Sequence, residues 1–105
     1  MSVAGTWNLT IATPVGEQRT TVELTGEGAD LRGVARLDGG DVALKEVALR
    51  GERLTWKHSI TRPLRLSIAF DVVVRGDEME GSSKAGVFPR SRVTGRRVAP
   101  AQPVL

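Results

Sequence analysis

Residues 64–77 read LRLSIAFDVVVRGD, and this stretch decides the fold. Every even position from 64 to 74 is apolar, whereas the odd positions include arginine, serine and aspartate. Side chains of a β-strand point alternately to its two faces, so the alternation predicts a strand with one buried and one exposed face. The Gly76-Asp77 pair that follows is typical of a two-residue hairpin loop.

The same hairpin signal recurs along the chain. Gly26, Gly51 and Gly76 are spaced 25 residues apart, and each follows a short apolar-rich run. Other turn signals, rich in proline, glycine and aspartate, lie between them. The segments between turns are the predicted strands, at about 5–13, 17–25, 30–38, 41–50, 53–61, 64–75, 78–87 and 91–98. Short strands at such regular spacing predict an all-β protein, and we favour an eight-stranded antiparallel up-and-down β-barrel.

The fourth predicted strand breaks the alternation. Val42 and Leu44 occupy even positions, whereas Val47 and Leu49 occupy odd ones. One additional residue near Lys45-Glu46 restores the pattern, which predicts a β-bulge at that point.

Length and composition limit the classes of protein. With 105 residues we expect one barrel domain, residues 1–98, followed by an irregular tail with two prolines, residues 99–105. The absence of cysteine excludes disulfides, thiol catalysis and zinc–thiolate sites. No signal peptide and no membrane-spanning run is recognisable, so we expect a cytoplasmic protein without a membrane partner.

Basic residues cluster near the C-terminus, at Arg90, Arg92, Arg96 and Arg97, and the net charge is +3. Such a cluster is compatible with a nucleic-acid patch. Single-strand binders also need exposed aromatic side chains for stacking, and aromatics make up only 4% of this chain. We therefore interpret the cluster as a solvated strand face and expect no nucleic-acid partner.

Two short motifs stand at the ends of the predicted barrel, Gly5-Thr6-Trp7 and Thr94-Gly95-Arg96-Arg97. Together with the strand count they resemble the lipocalin/calycin superfamily, in which a Gly-x-Trp on the first strand meets a basic residue of the last strand. The resemblance implies a calycin-like barrel, with Trp7 over the closed end and Arg96 or Arg97 packed across its ring.

The side chains predicted to point into the barrel differ in size between strands. They are large on the first, second, fifth and sixth predicted strands and small on the third, seventh and eighth. The small residues either interdigitate with the large ones or leave an apolar pocket, and barrel mouths are common ligand sites. The predicted ligand-binding residues are Trp56, His58, Ile68, Phe70, Ser83, Thr20 and Phe88. If Gly26, Gly51 and Gly76 mark the closed end, the mouth lies at the opposite end.

His58 is the only histidine. It alternates in step with Trp56 and Ile60, so we expect its side chain to point into the barrel with theirs. It is either a polar anchor or acid/base group in the pocket, or a buried neutral histidine bonded to a neighbour. One histidine without cysteine supplies too few ligands for a metal site, and we expect no cofactor.

Three functions remain open. The preferred hypothesis is binding of a small apolar molecule inside the barrel. The alternatives are a small cyclase- or isomerase-type enzyme with His58 as the catalytic acid/base, and an oligomerising module with a filled core. Whether the chain is an enzyme is undecided, and a homodimer is one assembly that the sequence leaves open.

Overall fold

The computed structural model of the chain describes residues 3–13, 16–37, 40–60 and 65–98. These residues form nine strands: β1 Gly5–Thr13, β2 Gly16–Thr25, β3 Arg32–Leu37, β4 Gly40–Ala43, β5 Lys45–Arg50, β6 Arg53–Ile60, β7 Leu66–Arg75, β8 Glu78–Ala85 and β9 Ser91–Arg97. One 3-10 turn, Gly28–Asp30, precedes β3. The predicted tail 99–105 and the predicted turns at 14–15, 38–39 and 62–63 lie outside the described residues.

All nine strands belong to one antiparallel sheet with the order β4-β3-β2-β1-β9-β8-β7-β6-β5. Neighbours in sequence are neighbours in the sheet except for β4 and β5. The first strand, β1, also pairs with the last, β9. The outermost strands β4 and β5 are connected by the single residue Leu44, so the sheet curls into a nearly closed barrel. The all-β, up-and-down prediction is confirmed at this level, and the arrangement is compatible with a calycin-like fold. In the described part of the chain, no helix is long and apolar enough to cross a membrane.

The predicted number of eight strands is wrong, because the fourth predicted strand, 41–50, is divided at Leu44 into β4 and β5. The first part pairs with β3 and the second with β6. At the division the backbone N–H of Leu44 donates to the carbonyl oxygen of Gly33 (2.9 Å), and the Leu44 side chain is buried. Each half thus satisfies its backbone groups with a different neighbour.

The β-bulge predicted near Lys45-Glu46 is confirmed. Lys45 pairs with Lys57 and Ala48 with Thr55, so the β5 side carries one additional residue between these pairs. Glu46 has φ 51°, the one positive φ outside glycine among the described residues. The bulge bends β5 away from the line of β4.

The turns at Gly26, Gly51 and Gly76 lie at one end of the barrel, which we call the closed end. The backbone N–H of Val74 donates to the carbonyl oxygen of Glu52 (2.8 Å), which links the turns of the β5–β6 and β7–β8 hairpins. Both hairpins have the predicted two-residue loops. We call the opposite end of the barrel the far end.

Trp7 and Arg97 cover the closed end. Trp7 is fully buried, and its Nε1–H donates to the carbonyl oxygen of Val3 (2.9 Å). The Arg97 guanidinium lies 4.6 Å from the centre of the Trp7 ring and donates to the carbonyl oxygens of Ala4 (2.6 Å) and Gly76 (3.1 Å). One arginine therefore ties the start of β1 to the β7–β8 turn through the last strand.

Large side chains fill the space beside the inward glycines in the closed half of the barrel. A Cβ at Gly33 would lie 2.8 Å from side-chain atoms of both Leu24 and Leu44. A Cβ at Gly95 would lie 2.5 Å from Leu9 and 2.7 Å from Met79. In this half the small and large residues interdigitate, which was one of the two predicted outcomes.

Candidate functional site

Three rings from β6 and β7 form one stacked group inside the barrel, which we call the aromatic cluster: Trp56, His58 and Phe70. Trp56 and Phe70 are direct cross-strand partners, with ring centres 4.7 Å apart and planes inclined by 7°. His58 stacks on Phe70 with centres 4.9 Å apart and planes inclined by 20°. All three are almost completely buried.

Trp56 and His58 lie side by side on a single face of Phe70. The indole Nε1–H of Trp56 donates to His58 Nδ1 over 3.2 Å. Rings on opposite faces of Phe70 would be too far apart for this bond, so both must lie on the same face. The spacing of two residues along β6 places both side chains on the inner face of the strand, and the hydrogen bond aligns their edges.

The hydrogen bond also determines the tautomer of His58. The indole nitrogen is only a donor, so Nδ1 of the imidazole must accept, and the proton of the neutral ring is on Nε2. Burial lowers the pKa of His58 from 6.5 to about 4, because the charged form loses its hydration. Near neutral pH, His58 is therefore an uncharged ring whose Nε2–H is a hydrogen-bond donor.

Ser83 of β8 is the cross-strand partner of Phe70, which in turn pairs with Trp56. These three residues therefore form one row across adjacent strands of the sheet. It is 5% exposed, and His58 is 2% exposed. Among the described residues neither Ser83 Oγ nor His58 Nε2 has a hydrogen-bond partner. The far half of the barrel thus holds two buried polar side chains, each with an atom that makes no hydrogen bond to a described residue.

The remaining predicted ligand-binding residues occupy different places. Ile68 is the cross-strand partner of His58 and lies beside the aromatic cluster. Thr20 lies on β2, and its hydroxyl donates to the carbonyl oxygen of Arg36 (3.3 Å), which is outside the row that contains Ser83. Phe88 is in the β8–β9 loop at the far end and is 47% exposed.

Ser91 is a residue of this region that the sequence analysis did not include. It is the cross-strand partner of Ser83 and is half-buried. Its parity matches that of the fully buried Val93, so the alternation along β9 contained the signal.

A groove of about 810 Å³ lies on the outer surface of β1, β7, β8 and β9. Its charges are paired, with Arg96 on Glu78 (2.8 Å) and Arg92 on Glu80 (3.4 Å), and its described lining contains no aromatic side chain. The remaining C-terminal arginines also have partners, since Arg90 donates to a serine hydroxyl and Arg97 is at the closed end. Such a neutralised polar surface offers little to an apolar molecule, so we place the candidate site at the aromatic cluster.

The described residues contain no group of three or more histidine, cysteine, aspartate or glutamate side chains that could hold a metal ion. The aromatic cluster and Ser83 supply one ring nitrogen and one hydroxyl. Their chemistry is that of stacking and neutral hydrogen bonds.

No protein-family model, no curated protein and no solved structure matches this chain. Functional inference consequently depends on the residues and geometry of the chain itself.

Proposed function

We propose that the chain binds a small, flat, apolar molecule inside the far half of the barrel, against the aromatic cluster. The observation that carries the proposal is the pair of buried polar atoms, His58 Nε2 and Ser83 Oγ, without partners in the described part of the chain. Buried polar groups in proteins are nearly always hydrogen-bonded. Two such atoms in one part of the barrel therefore favour a bound molecule that supplies their missing hydrogen bonds.

The packing of the barrel supports the far half as the location. In the closed half, side chains of β1, β2 and β8 fill the space beside Gly33 and Gly95. In the far half, β8 contributes only the small side chains of Ser83 and Ala85 opposite the larger ones of β7. Because β7 and β8 are adjacent strands, the small side chains of β8 leave room for a guest beside the larger side chains of β7.

The orientation of the rings supports a flat ligand. The planes of the aromatic cluster agree within about 20°, so a flat ring bound beside the cluster can lie parallel to all three rings. Stacking of an additional ring on such a surface contributes roughly 0.5–1.5 kcal/mol beyond the burial of its apolar area. A planar molecule gains from both effects.

The geometry gives less support to His58 as a general base. A base needs a free nitrogen lone pair, but Nδ1 accepts the Trp56 proton and Nε2 carries a proton in the neutral ring. A pKa of about 4 also makes the ring a weak base at neutral pH. The contacts of His58 suit an anchor better than a proton-transfer catalyst.

Binding of 6-propionyl-2-(dimethylamino)naphthalene, a flat, neutral probe with a carbonyl acceptor whose fluorescence responds to apolar surroundings, tests the proposal. We expect saturable enhancement with one site per chain. Ser83→Leu fills the space opposite Phe70 and should weaken binding at least tenfold. Ser82→Leu, on the outer face of the same strand, is the matched control and should change affinity less than about twofold.

Circular dichroism should show that both variants are folded, and Ser83→Val replaces Ser83→Leu if the larger side chain prevents folding. Absence of saturable binding by the unmodified chain would contradict the proposal. Equal affinity of the Ser82 and Ser83 variants would show that the probe binds elsewhere, and would contradict it as well.

A further inference from the structure

We propose that the ligand presents an uncharged hydrogen-bond acceptor, a carbonyl or ether oxygen, to the Nε2–H of His58. This inference rests on the proposed function, since it specifies the chemistry of the molecule bound at the aromatic cluster. It goes further because it assigns the polar group that distinguishes the preferred ligand from a plain hydrocarbon.

The direction of the hydrogen bond follows from the partner that His58 already has. Trp56 Nε1–H occupies Nδ1, so the remaining nitrogen of the neutral imidazole is a donor. A ligand N–H or O–H facing Nε2–H would meet another donor and remain unpaired at a cost in affinity. Ser83 does not discriminate in this way, because a hydroxyl both donates and accepts.

The absence of a counter-charge favours an uncharged acceptor. Within the described core, His58 and Ser83 are the buried polar or charged side chains, and neither is a cation at neutral pH. The lysines on neighbouring strand positions are engaged elsewhere, Lys57 with Glu46 (3.1 Å) and Lys84 with the carbonyl oxygen of Phe88. A carboxylate placed against His58 would therefore be buried without a compensating charge, which is strongly unfavourable.

Two probes of nearly equal shape test the assignment: 2-acetylnaphthalene, which has a carbonyl acceptor, and 2-ethylnaphthalene, which has none. The ratio of the two dissociation constants is measured in the unmodified chain and in each variant. The difference in hydration between the probes contributes equally to every ratio and cancels when the ratios are compared. We expect the preference for the ketone to be about tenfold larger in the unmodified chain than in His58→Phe. His58→Gln places an amide N–H near the Nε2 position and should retain much of the preference.

A second measurement does not depend on any variant. In the unmodified chain, the ¹⁵N resonance of His58 Nε2 should shift on addition of the ketone and change little with the hydrocarbon. The unmodified chain gives the ¹⁵N result even if His58→Phe fails to fold.

The outcomes separate this inference from the proposed function. If 2-ethylnaphthalene binds and the ketone preference is the same with and without His58, the acceptor assignment is overturned and the binding function stands. If neither probe binds, the proposed function itself fails. Tighter binding of 2-naphthoate than of the ketone would overturn the assignment of an uncharged acceptor.

Discussion

Acidification should destabilise the barrel through His58. The folded chain keeps this ring neutral, with a pKa of about 4, whereas the unfolded chain exposes it with its ordinary pKa of 6.5. Between these values the unfolded state takes up a proton that the folded state does not. The stability is complete above about pH 6.5 and is lost as the pH falls towards 4.

The size of the effect follows from the two pKa values. Each pH unit between them costs about 1.4 kcal/mol, so the full loss is about 3 kcal/mol and the loss between pH 7 and pH 5 is about 2 kcal/mol. His58 is the only histidine of the chain, and histidine is the side chain whose ordinary pKa lies between pH 5 and pH 7. The lowered pKa of Asp71, which Arg53 stabilises by hydrogen bonding, acts only below its ordinary value of 3.8.

The assay is urea unfolding followed by circular dichroism at pH 7 and pH 5, with His58→Asn as the reference. Asparagine does not titrate, and its side-chain oxygen can accept the Trp56 proton in place of Nδ1. We expect the unmodified chain to lose about 2 kcal/mol more than His58→Asn over this range. Equal losses, or a gain in stability on acidification, would refute the view that the histidine is buried and neutral.

Five further substitutions should change the free energy of unfolding, measured by urea titration, to different extents. Arg97→Met removes two backbone hydrogen bonds, the ring contact and the ion pair with Asp77 (3.0 Å) at the closed end, and should cost about 3 kcal/mol. Arg96→Met breaks only an exposed ion pair and should cost less than about 0.5 kcal/mol. Equal costs would contradict the role of Arg97 in covering the closed end. Gly81→Ala should cost about 3 kcal/mol and Gly95→Ala clearly less, because a Cβ at Gly81 meets backbone atoms and at Gly95 only side chains. The reverse order would be incompatible with the packing. Glu46→Gly should stabilise the chain by about 0.5–1 kcal/mol by relieving its positive φ, and a loss would show that the bulge is not strained.

Local patterns in the sequence predicted most of the fold. The period of two defines which face of each strand is buried, and Gly51 and Gly76 have the chemistry of two-residue hairpins, so both features depend on neighbouring residues alone. The bulge at Glu46 was visible as a change of parity. The division at Leu44 was not, because it depends on which neighbouring strand each half pairs with, and this is decided by the closing of the whole barrel.

The sequence predicted which side chains of the candidate site point into the barrel, but not how those side chains are arranged there. Parity placed His58, Trp56 and Phe70 inside, and they are inside. Parity does not fix the height of a side chain in the barrel, which is why Thr20 was grouped with residues of a different row. It also does not fix ring orientation, so the hydrogen bond that selects the donor nitrogen of His58 could come only from the structure.

The pairing of β1 with β9 has a consequence for how the barrel folds. The strands form two series, β1 to β4 and β5 to β9. Within each series every pairing joins strands that are consecutive in sequence, so each series can form by local hairpins. The contact of Arg97 with Ala4 instead spans 93 positions of the chain. Joining such distant segments has a large entropic cost that local contacts do not share. Closure between the first and last strands is therefore the step expected to limit the folding rate, with Arg97 among the last side chains to reach its place.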